Sequence, residues 1–268
     1  MKSTSILQWA SALLAISALH NPSLIKTQSA KLALVLSESM EQVGSLQAAG
    51  LPSLDQQLLD AVHAGDIQQA KLFLDQGASV DTGNRYVGYP VAIATEQGNR
   101  AMVQLLVDRG ADVDVVSAGG QTALGRAVDM GSLELVRILI NAGASPDRRT
   151  NYGVPLLYRA TEMGNIAIVR LLLQGGANTN AQVAGITPLY KAVESGNIPI
   201  ARLLLEGDAN PNQASPLYRA VEVGNTELVR LLLNYGANPR ISERGISVLS
   251  LARAQGNRAI ATLLQQAM

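Results

Sequence analysis

Apolar residues along this chain recur as pairs of short stripes punctuated by glycine. In residues 185–209, GITPLYKAVESGNIPIARLLLEGDA, Leu189, Ala192 and Val193 fall at i, i+3 and i+4, the spacing of one helix face. Thr187 precedes Pro188, and proline in the first helical position forfeits no hydrogen bond, because its missing N–H would be unpaired there anyway. Gly196 can take the left-handed conformation that ends a helix. Asn197 then offers a side-chain oxygen to the next helix, which puts Pro199 harmlessly in its first turn. That second helix buries Ile200, Leu203 and Leu204. Asp208 stands where a terminating glycine is expected, and aspartate is among the few other residues that visit the left-handed region.

The same pattern returns along the chain. Its turn glycines are Gly65, Gly98, Gly131, Gly164, Gly196, Gly224 and Gly256, at spacings of 33, 33, 33, 32, 28 and 32 residues. The residue after each is a helix-capping type: Asp66, Asn99, Ser132, Asn165, Asn197, Asn225 and Asn257. The terminating glycines are Gly77, Gly110, Gly143, Gly176 and Gly236. Self-similarity at such a period marks an array whose units contact mainly their neighbours. The 28-residue spacing means that the loop at Asn212-Gln213-Ala214 is four residues short. The turn projecting between those two units is therefore expected to be missing or very short.

Two helices per unit, a period near 33 and Thr187-Pro188-Leu189 opening a first helix resemble the ankyrin repeat. Ala192, Leu203-Leu204-Leu205 and Ala209-Asn210 agree with the family pattern, as do, in part, Thr122-Ala123-Leu124, Pro155-Leu156-Leu157, Ser215-Pro216-Leu217 and Ser247-Val248-Leu249. The resemblance implies an all-α repeat solenoid of stacked helix-turn-helix units over residues 51–268. The seven units run 51–82, 83–115, 116–148, 149–181, 182–213, 214–241 and 242–268, the outer two degenerate as capping units are. The family's motif histidine is absent. Tyr158, Tyr190 and Tyr218 replace it in three units, and Ala92, Gly125 and Ser250 in others.

Composition narrows the chemistry. Lys plus Arg and Asp plus Glu number 21 each, so no net charge recruits nucleic acid or an anionic membrane. The absence of cysteine removes disulfides, thiolate catalysis and cysteine-bound metals. With one Phe and one Trp, the core must be aliphatic. His20 and His63 lack the partners that a metal centre or a nucleophile would need, and no H-E-x-x-H, G-x-S-x-G or phosphate-binding glycine motif occurs. No cofactor, metal or catalytic residue is expected.

The N-terminus departs from the array. After Lys2, a mostly apolar stretch from Ile6 to Leu19 is shorter than the ~20 residues that cross a bilayer. It fits the charged start and apolar core of a secretory signal. Residues 1–30 are therefore read as a leader and the protein as exported to the periplasm or secreted, with no membrane span in the mature chain. Cleavage could fall near Ala15-Ile16-Ser17 or Thr27-Gln28-Ser29. The other reading is a cytoplasmic protein with an N-terminal helix packed on the array. Leu32, Leu36, Met40, Val43 and Leu46 suggest a helix or linker at 31–50 that caps the first unit.

Two columns of charge run through the units. Glu96, Asp129, Glu162, Glu194 and Glu222 stand two residues before turn glycines, and Arg126, Arg159, Lys191 and Arg219 stand three residues before four of these acids. Pairs at i, i+3 contribute about 0.2–0.5 kcal/mol. Acids on helices ~8–10 Å apart repel by roughly 0.4 kcal/mol in water. A self-neutralising ladder inherited by duplication, or a trap for a cation or basic ligand, both fit. Lys71, Arg137, Arg170, Arg202 and Arg230 read as a solvated outer face.

The resemblance implies protein binding on the concave surface made by turn tips and first helices. The matching positions are Arg85, Tyr86, Gln97, Gln121, Met130, Asn151, Tyr152, Met163, Val183 and Ile186, together with the acids Glu96, Asp129, Glu162, Glu194 and Glu222. Met130 and Met163 could instead plug gaps between stacked helices. The expected function is that of a non-catalytic, monomeric protein-binding module with a protein partner and no nucleic acid. A structural or enzyme-accessory subunit is the alternative, and a hydrolytic enzyme a distant third.

Overall fold

The computed structural model describes residues 52–84, 86–117 and 119–268. The leader, the helix or linker at 31–50, His20 and Arg85 lie outside the described residues.

Residues Leu54–Met268 form one compact unit. Seven helix pairs follow one another: α1 (Leu54–Ala64) and α2 (Ile67–Asp75), α3 (Pro90–Glu96) and α4 (Arg100–Asp108), α5 (Ala123–Asp129) and α6 (Leu133–Asn141), α7 (Leu156–Glu162) and α8 (Ile166–Gln174). Then come α9 (Pro188–Glu194) and α10 (Ile198–Glu206), α11 (Pro216–Glu222) and α12 (Thr226–Asn234), and α13 (Val248–Ala254) and α14 (Arg258–Gln266). Each helix packs on its partner and on its counterparts in the adjoining units. One aliphatic core therefore runs from Leu58 to Leu264. The stripe of α10 is shifted from the expected one: Ile200, Ala201, Leu204 and Leu205 are buried, while Leu203 is half-buried toward the outer groove beside α8.

The ends of these helices follow from single residues. Asn99, Asn165, Asn197, Asn225 and Asn257 each accept, through Oδ1, the N–H three residues on, at 3.0–3.1 Å. Asp66 accepts from Gln68 and Gln69. Ser132, expected to do the same, makes no such bond. Its ψ of 94° resembles the asparagine caps, whereas Thr122, Thr187 and Ser247, which do cap, have ψ of 164°, 162° and 150°. At the tighter angle only the longer Asn or Asp side chain reaches the N–H. Asp208 sits at φ +64°, so it does occupy the left-handed place that Gly110 or Gly176 takes elsewhere.

Between units the chain makes short hairpin fingers, closed by bridges at Asn84–Gly88, Val116–Thr122, Arg149–Pro155 and Val183–Ile186. The finger before α13 is a true two-stranded ladder, β1 (Ser242–Glu243) with β2 (Ile246–Ser247). Before α11, residues 211–214 make only a turn. Ala214 and Ser215 are both left-handed there, at φ +62° and +56°. Neighbouring units are also fastened by loop side chains. Asp81, Asp147, Asn180 and Asn212 accept the backbone N–H of Asp112, Asn178, Asn210 and Asn238 at 2.7–2.8 Å. Asp114 accepts that of Ser145.

Candidate protein-binding face

The first helices end on one face, and the fingers project beside them. Gly98 is left-handed (φ +69°), which turns the chain sharply after α3 and leaves Glu96 and Gln97 outward. Repetition of that turn stacks Glu96, Asp129, Glu162, Glu194 and Glu222 at the ends of α3, α5, α7, α9 and α11.

The acids are not left facing one another. Arg159 donates from Nε to Asp129 of the preceding unit (2.9 Å) and from a terminal nitrogen to Glu162 of its own helix (2.9 Å). Lys191 holds Glu194 at 3.1 Å, and Arg219 spans Glu194 and Glu222. Three of the four expected i, i+3 pairs form; Arg126 does not pair with Asp129, whose carboxylate is taken by Arg159 and Gln121. The two cross-unit contacts replace the repulsion expected between adjacent acids with a shared cation. The hydrogen bonds that Arg159 donates to Asp129, then to Glu162, raise its pKa, and the one that Lys191 donates to Glu194 does the same for Lys191. Gln121 adds its amide to Asp129 at 2.6 Å. At the upper end the ladder is open. Among the described residues, the side chains of Glu96 and Arg126 have no ion pair or hydrogen bond. Both line an open groove of about 570 Å³ with His63, Tyr86, Ile93 and Gln97, whose amide donates to the His63 carbonyl.

Exposed apolar side chains stand at this groove and in the two units that follow it. Tyr152 is 85% exposed and Tyr86 78%, both on fingers beside exposed Asn151 and Val87. Met130 and Met163 remain 41% and 39% exposed, although each methyl reaches back over the turn glycine of the unit before, Gly98 or Gly131. Val183 and Ile186 are half-buried, tied to each other across their finger, and lie away from the groove. Val87 and Val116, also exposed, belong to this surface and escaped the motif comparison, since finger residues vary from unit to unit. The tyrosines at the family's histidine position are buried to different degrees. Tyr158 is buried, Tyr190 half-buried, and burial pushes both hydroxyl pKa values up. Neither hydroxyl has a hydrogen bond among the described residues.

On the outer face Lys71, Arg137, Arg170, Arg202 and Arg230 are exposed, as the solvated-column reading expected. Among the described residues no cluster of His, Asp and Glu is placed to hold a metal ion, and no helix is long and apolar enough to cross a membrane.

Fold and face together define a repeat solenoid with a row of fingers above a charged ladder. The family profile for ankyrin repeats in three copies matches residues 58–150 and 146–215, and the single-repeat profile matches 212–243. The chain belongs to the ankyrin repeat family. Among solved structures it resembles an ankyrin repeat domain from Acinetobacter baumannii (29% identity, TM-score 0.62), covering 67% of this chain and 97% of that one. It also resembles the ankyrin repeat domain of human ASB11 (27%, TM-score 0.56, covering 79% and 97%). A third is that of Bcl-3, a member of the IkappaB family (28%, TM-score 0.64, covering 78% and 97%). A search of curated proteins gives no match.

Proposed function

We propose that this array is a non-catalytic protein-binding module that grips its partner on the finger side of its N-terminal half. One observation carries the reading. Tyr86, Val87, Val116, Met130, Tyr152 and Met163 are exposed on the fingers and first-helix ends of three consecutive units, where the later units expose only Val223 and Ile246. Tyr and Met are enriched where proteins meet, and the open Glu96 and Arg126 beside them can supply polar contacts to a partner. The paired ladder farther along has its charges already matched, so it adds orientation more than attraction.

A photo-crosslinking residue at position 152 should capture a defined partner in the native host, and the same residue at position 170 on the outer face should not. Equal capture from both positions would remove the reading. We also infer that residues 1–30 serve as an export leader, supported by Lys2 followed by the apolar Ile6–Leu19 stretch.

A further inference from the structure

The space left by the short loop is a site in its own right. Where other units raise a finger, the interval before α11 holds a cavity of about 240 Å³. Its walls come from three successive units: Tyr190 of α9, Ser215, Tyr218 and Glu222 at and within α11, and Glu243 and Arg244 of the next finger. At ~30 Å³ per water this is room for about eight waters, enough for one long side chain.

The chemistry of the walls selects the occupant. Arg219 also lines the cavity, but its terminal nitrogens are committed to Glu194 and Glu222, and its Nε is buried without an acceptor. Glu243 and the hydroxyls of Tyr190 and Tyr218 have no partner among the described residues. Around Tyr190, burial raises the hydroxyl pKa most, the Arg219 charge lowers it next, and Glu194, Glu222 and Glu243 each raise it by less. An incoming carboxylate would meet Glu222 and Glu243, with both terminal nitrogens of Arg219 engaged and its Nε buried out of reach. A planar guanidinium would instead find two tyrosine rings and a free carboxylate, the surroundings that stabilise it best. Arg244 is exposed at the finger tip, on a left-handed turn (φ +49°), and lines the cavity without an ion pair among the described residues.

We propose that the gap of the missing finger is a receptor for one arginine side chain of a partner protein. Arg244 competes for it and guards its rim. The site stands apart from the finger-tip surface, so either assignment can fail without the other.

The test uses the full chain with labelled tyrosines, followed by NMR, and acetyl-arginine-N-methylamide as probe. The lysine and glutamate analogues are the comparisons. Saturable shifts of the Tyr190 and Tyr218 ring signals are expected with the arginine probe, weaker ones with lysine and none with glutamate. Glu243→Gln should weaken the arginine probe by about tenfold, the loss of one charge-assisted contact. Arg244→Ala should tighten it several-fold, which a purely structural role for that finger would not do. Inserting four residues between Asn212 and Ser215 should rebuild a finger and abolish the shifts, with the helical circular dichroism retained. Binding of the glutamate probe as tight as the arginine probe, or no effect of Glu243→Gln, would overturn the assignment.

Discussion

Thr187-Pro188-Leu189-Tyr190 and Ser215-Pro216-Leu217-Tyr218 look interchangeable, yet removing the hydroxyl should matter at only one of them. Thr187 has ψ 162°, is 1% exposed, and its Oγ1 accepts the Tyr190 N–H at 3.1 Å. Thr187→Ala loses that cap, worth about 1 kcal/mol, and leaves a half-buried N–H unpaired, for a total of about 1–2 kcal/mol. Ser215 is left-handed, with ψ 48°, and makes no cap bond. Ser215→Ala should therefore change stability by no more than about 0.5 kcal/mol. Ser215→Gly removes a left-handed strain of about 1–2 kcal/mol and costs about 0.5–1 kcal/mol of chain entropy, a net gain of about 0–1.5 kcal/mol. Thermal melts of the three variants should separate by about 2–4 °C per kcal/mol at this size. A Ser215→Ala loss equal to that of Thr187→Ala would mean that Ser215 swings into capping geometry, and the account of the short loop would fall.

Hydrogen exchange should be faster across residues 206–216 than across 174–188, since Asp208, Ala214 and Ser215 are left-handed in the first stretch against Ala184 alone among non-glycines in the second; equal rates would show that the deletion tightened the junction. Stability should decline as pH rises past about 10. Lys191, Tyr158 and Tyr190 all have raised pKa values in the folded chain, so each contributes stability below its unfolded value that is lost as pH climbs through the folded one. Melting temperatures that stay flat from pH 8 to 11 would contradict this, and Tyr158→Phe with Tyr190→Phe should shrink the decline. Protein isolated from the native host should begin near residue 18 or 30, and an intact Met1 in a cytosolic fraction would sink the export proposal.

Much of this was readable because each unit is built from local rules. A glycine or aspartate at a fixed place ends a helix, an asparagine starts the next, and three ion pairs lie at i, i+3, so Gly98, Asn197, Asp208 and Arg159–Glu162 were legible from spacing. What escaped depends on how one unit seats on the next. Arg159 reaches Asp129, and Asp147 reaches the Asn178 N–H, only because the stacking offset brings side chains about one repeat apart together. A recurring Asp or Asn at 81, 114, 147, 180 and 212 was a visible signal of the second kind, lacking only a reason to expect a donor opposite. Ser215 failed for a related cause: motif matching sees residue type, whereas the backbone angle at Ser215 is set by the length of the loop before it. The open groove at Glu96 and Arg126 was hidden too, because their register pairs acid with base in later units.

Met130 and Met163 raise the last question, since a side chain can fill a gap and face a partner at once. Met130 lays its methyl over Gly98, 3.6 Å from where a Cβ would stand, yet keeps 41% of its surface open. Full burial of such a side chain is worth about 1.5–3 kcal/mol, so a little over half of that, about 0.9–1.8 kcal/mol, is the most that packing can supply here. Truncation leaves no closed cavity, because the site opens to solvent. Met102, with 0% exposure inside α4, has no such escape, and Met102→Ala should cost about 2–5 kcal/mol. Denaturant unfolding of the two alanine variants should therefore differ by about 2 kcal/mol at the middle of these ranges, with unchanged slope. Equal losses would mean that Met130 is a core residue and not part of the recognition face. With the expected gap, Met130→Ala stays folded, and any loss of photo-crosslinking at position 152 in that variant reports a contact made to the partner itself.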